Sequence, residues 1–213
     1  MTNPVETLLV LVLLSVLSAL GSSRLPSLIK VLSFQGLVVS IVPLFMGHEM
    51  NTGSIIFTLV TFLIRAFAIP LYIYVAIRRV AIRREANPIV GYHASLLLGL
   101  VLIVAAIAVS PKFNLPMPQG RPLMLPTAVT LVVAGMFLIM SRRNAIAMVL
   151  GYMMMENGIY LVGTGFSLRA QHIVEFGILL DVLAGVMIMA VILQHIKQAF
   201  DSLDTARLTT LKE

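Results

Sequence analysis

Residues 131–163, "LVVAGMFLIMSRRNAIAMVLGYMMMENGIYLVG", decide how this chain is to be read. Two apolar runs are parted only by Ser-Arg-Arg-Asn, and the second run carries a single carboxylate, Glu156. With their flanks, both runs reach the roughly 20 apolar residues that a membrane-spanning helix needs. A connection this short leaves the two helices no choice but to lie antiparallel and in contact. Their apolar character continues around the whole helix instead of forming a stripe, which marks helices in lipid or inside a membrane bundle. Glu156 falls near the middle of its helix, where insertion scales set the cost of an acid at roughly 2.5–3.5 kcal/mol.

The rest of the chain repeats this pattern. Of its 213 residues, 59% are hydrophobic and 11% charged, and the mean hydropathy is +1.02. Soluble domains carry about 25% charged residues, so the composition is that of an all-α integral membrane protein. The sequence predicts about seven transmembrane helices, over 5–21, 27–46, 54–77, 92–110, 124–140, 144–166 and 172–196. They form one membrane domain, 1–213, in which 197–213 is a short cytoplasmic tail. The first segment lacks the basic leader of a cleaved signal peptide and reads as a retained helix.

Arginine and lysine set the orientation. With the N-terminus outside, the inner segments hold Arg24, Arg78, Arg79, Arg83, Arg84, Arg142, Arg143, Lys197, Arg207 and Lys212, whereas the outer ones hold Lys112, Arg121 and Arg169. That asymmetry favours N-outside and C-inside, and it accounts for the net charge of +6 without nucleic acid. A weak parallel repeat accompanies it. Residues around Ser23-Arg24 resemble those around Ser141-Arg142 at an offset of 118, which pairs spans one to three with spans five to seven.

Several chemistries are excluded or disfavoured. There is no cysteine for disulfides, thiolate metal sites, clusters or nucleophiles. His48, His93, His172 and His195 lack the spacing of a metal site, so no metal or cofactor is expected in this chain. What remains is a set of charges inside predicted spans: Glu156, Asp181, Arg65 and Lys30. Desolvation favours a neutral carboxyl and a neighbouring base favours a charged one. A carboxyl between these influences can load and release a proton, as a proton relay requires. His172 and Glu175, spaced i to i+3 at the outer end of the last span, are possible relay ends, with interfacial snorkelling as the commoner reading. Gln35 reads as packing glue. The acids themselves can serve as interhelical glue, bonded to Asn157, a serine or a backbone group.

The block "SRRNAIAMVLGYMMMENGIYLVG" resembles the small K-type subunit of respiratory complex I and its counterpart in multisubunit cation/proton antiporters. An Arg-Arg-Asn turn opens the helix, then come Gly151, Glu156 and Asn157; further on, Asp181 and Gly185 stand where that family shows Glu and Gly. Relative to the K-type pattern, Met153 holds the position of the acid and Glu156 lies one turn later, on roughly the same face. The longer pattern is similar to component E of hydrogenase-4, a membrane subunit of formate hydrogenlyase-type complexes. It is carried by "MENGIYLV" (155–162), "VEFGILLDVLAGVMIMAVIL" (174–193), "IRAFAIPL" (64–71), "PKFNLPMPQG" (111–120) and the tail "LDTARLTTLKE" (203–213).

That resemblance implies a non-catalytic membrane-arm subunit of a group 4 [NiFe]-hydrogenase oxidoreductase complex in a bacterial or archaeal cytoplasmic (inner) membrane. The partners it implies are antiporter-like membrane subunits, a membrane anchor subunit and a peripheral [NiFe]-hydrogenase and iron–sulfur arm. In that setting Glu156 and Asp181 would contribute to proton translocation, with Arg65 and Lys30 biasing their proton affinity. Two other readings of the residues stand beside it: a free-standing or multisubunit cation/proton antiporter component, and a scaffold whose buried charges only fix helix register.

Overall fold

The computed structural model describes residues 4–45, 89–113 and 121–166, with isolated positions 59, 62, 63, 71 and 185. Five helices carry the described chain: α1 (Pro4–Leu20), α2 (Leu25–Ile41), α3 (Tyr92–Val109), α4 (Met124–Ser141) and α5 (Ala145–Phe166). They match the predicted first, second, fourth, fifth and sixth spans within a few residues. The predicted third and seventh spans lie outside the described residues apart from those isolated positions, each of which is helical.

Local chemistry sets the ends. Proline opens α1 and sits in the first turns of α2 and α4, where its missing N–H costs no intrahelical bond. The Asn144 side chain accepts a hydrogen bond from the Ile146 N–H at 2.9 Å and caps α5. α2 runs on through a 3₁₀ turn, Val42–Phe45, and α3 through another, Ser110–Phe113; each turn contains a proline. Four of the described helical stretches are long and apolar enough to cross a membrane: Leu25–Phe45, Tyr92–Phe113, Met124–Ser141 and Ile146–Gly165. α1, at 17 residues, is apolar and slightly shorter. Hydroxyls of Ser15, Ser33, Ser40, Ser110 and Thr164 each bond a carbonyl three or four residues back on their own helix. Back-bonding of this kind satisfies a hydroxyl where water is absent.

α4 and α5 make the most extensive contact, α5 also packs on α2, and α1 lies against α2, α3 and α4. The α4–α5 seam is close because small residues face each other. A Cβ on Gly135 would stand 2.6 Å from the Gly151 carbonyl oxygen, and one on Gly158 2.8 Å from that of Ala128. The core holds Leu9, Val12 and Val16 of α1, Leu28 and Leu32 of α2, Leu131 and Leu138 of α4, and Leu150, Met154 and Leu161 of α5. α3 is peripheral: it buries Ser95, Gly99 and Ala106 while Leu97, Val101 and Val104 are exposed.

Contacts at the helix ends fix their directions. The Leu123 N–H donates to Glu6 Oε1 at 3.5 Å, and Arg121 donates to the Phe45 carbonyl at 2.9 Å, so these residues share one end. Arg142 reaches the carbonyls of Leu20 and Ser22 at the other. α1 and α4 therefore run one way and α2, α3 and α5 the other. The connections bearing Arg24, Arg142 and Arg143 gather at a single end, as the charge count requires. Arg24 (φ −113°, ψ 128°) and Arg142 (φ −118°, ψ 136°), which the internal similarity pairs, share the same extended backbone between two helices.

Candidate functional site in the middle of the bundle

Glu156 lies halfway along α5, about 16 Å from Ala145 at 1.5 Å per residue, close to half the roughly 30 Å hydrocarbon thickness. Its side chain is 3% exposed, so the helix bundle covers it even without lipid. Glu156, Asn157, Tyr152 and Tyr160 are all buried, with both tyrosines one turn from the acid and on its face.

Beside the acid runs a chain of neutral polar groups across three helices. Asn157 Nδ2 donates to Gln35 Oε1 at 3.4 Å, and Gln35 Nε2 donates to Ser15 Oγ at 2.9 Å. Ser15 Oγ in turn donates to the Val12 carbonyl at 2.6 Å. Asn157 is 5% exposed and Gln35 fully buried. Residues on α5, α2 and α1 thus meet where any unpaired amide would be costly.

A second buried polar station closes the end where the basic connections gather. Arg142 is fully buried; its Nη2 donates to the carbonyls of Leu20 at 3.0 Å and Ser22 at 3.4 Å. The guanidinium carbon lies 5.0 Å from the centre of the Tyr92 ring, a cation–π distance. Among the described residues Nε and Nη1 meet no hydrogen-bond acceptor. Burial pushes the guanidinium pKa down and Tyr92 acts against that shift; arginine stays cationic regardless.

Of the predicted site residues, the structure thus buries Glu156 in mid-bundle and leaves Lys30 exposed on α2. Lys30 is about 140° around α2 from Gln35, away from the amide chain. Arg65, Asp181, His172 and Glu175 lie outside the described residues. Among the described residues no three His, Cys, Asp or Glu side chains gather as a metal site would need. Sequence reasoning read Gln35 as packing glue, which its bonds to Ser15 and Asn157 make it, and Arg142 as a loop charge; the particular tertiary partners of both were not visible in it.

The family model for NADH-ubiquinone/plastoquinone oxidoreductase chain 4L matches residues 123–213. An uncharacterized protein of Mycobacterium tuberculosis is 31% identical over 194 residues, covering 89% of this chain and 87% of its own length. Hydrogenase-4 component E of Escherichia coli K12 is 31% identical over 152 residues, 71% of this chain and 70% of its own length. Its Shigella flexneri counterpart matches with the same values. No solved structure matches the chain.

Proposed function

The chain belongs to the hydrogenase-4 component E family of complex I-related membrane subunits, and from that premise we propose that it contributes a proton path in which Glu156 is the group that loads and releases the proton. The observation that carries this reading is a carboxyl 3% exposed at mid-membrane depth in a helix otherwise free of charge. Intramembrane acids are expensive to hold and mark ion paths.

In this reading Glu156 and Asp181 pass the proton, Arg65 biases their affinity for it, Lys30 on the exposed face of α2 snorkels toward the membrane surface, and His172 with Glu175 forms the outer relay end. The seven-span arrangement, N-terminus outside, with its parallel repeat sets Glu156 and Asp181 on consecutive antiparallel helices. Coupling is electrostatic: a charge arriving at one site changes proton affinity at the next, and that influence is long-ranged where the dielectric is low. The chain supplies no redox centre. The hydrogenase reaction belongs to a peripheral [NiFe] and iron–sulfur arm, reached through antiporter-like and anchor subunits of a formate hydrogenlyase-type complex in the inner membrane.

Glu156→Gln tests the proposal in inverted membrane vesicles, with assembly checked by affinity purification. Because a positioned proton-transfer group contributes about 10²–10⁴-fold, the intact variant complex should lose nearly all proton translocation. Unchanged translocation would make Glu156 structural.

A further inference from the structure

Resting on the proton role of Glu156, we propose that Gln35 is a positioning residue for that carboxyl, acting through the hydrogen-bonded chain from Asn157 to Ser15. The direction of this chain is forced from its far end. Ser15 has one hydroxyl proton and spends it on the Val12 carbonyl at 2.6 Å. Its oxygen can then only accept, so Gln35 must turn Nε2 toward it, at 2.9 Å. That leaves Gln35 Oε1 facing α5, where Asn157 must present Nδ2, at 3.4 Å. One backbone carbonyl on α1 thereby sets the orientation of two amides and reaches the residue next to Glu156.

Serine, glutamine and asparagine do not titrate in the physiological range, so the chain holds and does not conduct. It has something to hold. On its other side α5 meets α4 through Gly135, Gly151 and Gly158, a close seam against Ile139, Leu131 and Val132 that sets the distance between the two helices. The Asn157–Gln35 pair is a keyed polar contact between α5 and α2, and slipping α5 would break it inside the bundle, where a lost amide bond is costly. Asn157 follows Glu156 by about 100° and 1.5 Å along the same helix. Fixing the amide therefore fixes the face and depth at which the carboxyl is presented.

The test measures protons moved per enzyme turnover by the complete complex in inverted vesicles, normalised to assembled complex. Glu156→Gln runs alongside. Gln35→Leu should lower the ratio about tenfold, in keeping with the sensitivity of proton and group transfer to a displacement near 1 Å. Gln35→Leu combined with Asn157→Leu separates positioning from simple stability. It replaces the Asn157–Gln35 pair by two apolar side chains and leaves Ser15 bonded to Val12, so assembly should exceed that of Gln35→Leu alone while the ratio stays low. Ser15→Ala, the mildest change, releases Gln35 at its far end and should lower the ratio less, in the same direction; it decides the matter if the leucine variants fail to assemble. A wild-type ratio in any of the three, with the Glu156→Gln ratio collapsed, overturns the positioning role alone. A wild-type ratio in Glu156→Gln overturns the relay reading and this inference with it.

Discussion

The middle of α5 and the turn around Arg142 both bury polar groups completely, and they satisfy them in opposite ways. At mid-span Asn157, Gln35 and Ser15 find partners in other side chains on three helices, ending on one serine that bonds its own helix. At the end of the bundle a full positive charge is answered by backbone carbonyls and an aromatic face. Depth explains the difference. The last carbonyls of α1, Leu20 among them, have no partner within the helix and carry the negative end of its dipole, so a buried cation is stabilised against them. Midway along a helix each carbonyl already accepts a backbone bond, and its second lone pair is reached by a hydroxyl of the same helix, as at Ser15. The longer amides of Gln35 and Asn157 are therefore matched across helices by other side chains. A carboxyl placed at that depth has few resting states, which suits a group whose proton moves.

The contrast can be broken from the Arg142 side. Arg142→Ala removes a charge-assisted hydrogen bond and the joint between α1, α3 and α4; it should cost about 1.5–3 kcal/mol. Denaturation of the purified complex by heat or detergent would show it as a lower midpoint and less assembled material. Tyr92→Leu keeps the apolar bulk and removes the π face, for an expected loss of ~1 kcal/mol. Tyr92→Phe keeps the ring over the guanidinium and should recover part of that loss. The smallest effect belongs to Asn144→Ala, which uncaps α5 for about 0.5–1 kcal/mol, visible as faster amide exchange in the first turn. None of these changes should alter the protons moved per turnover by complexes that do assemble.

Much of this architecture was legible in the sequence because apolar length is a local property. α5 was expected over 144–166 and runs Ala145–Phe166, since the Arg-Arg-Asn turn announces its start. The expected inner charges Arg24, Arg142 and Arg143 do share one end. The end of α2 was less clear, because Pro43 permits a last 3₁₀ turn that hydropathy does not distinguish from α-helix. Burial of Arg142 was not legible at all. Loop charges are counted along the chain, and nothing local reports that Leu20, Ser22 and Tyr92 fold over this one while Arg143 stays exposed. Gln35 was legible as glue, but what it joins was hidden for the same reason. Its partners lie 20 and 122 residues away, and only the packing of α1, α2 and α5 brings them within reach.

The central claim is that the middle of the bundle handles the proton while the end holds the helices, and one paired measurement tests it. Protons moved per turnover, and assembled complex per membrane, would be read for Glu156→Gln beside Arg142→Ala. The account predicts normal assembly with a collapsed ratio for the first, and reduced assembly with a wild-type ratio for the second. A wild-type ratio in assembled Glu156→Gln, or a collapsed ratio in whatever Arg142→Ala complex forms, would contradict it.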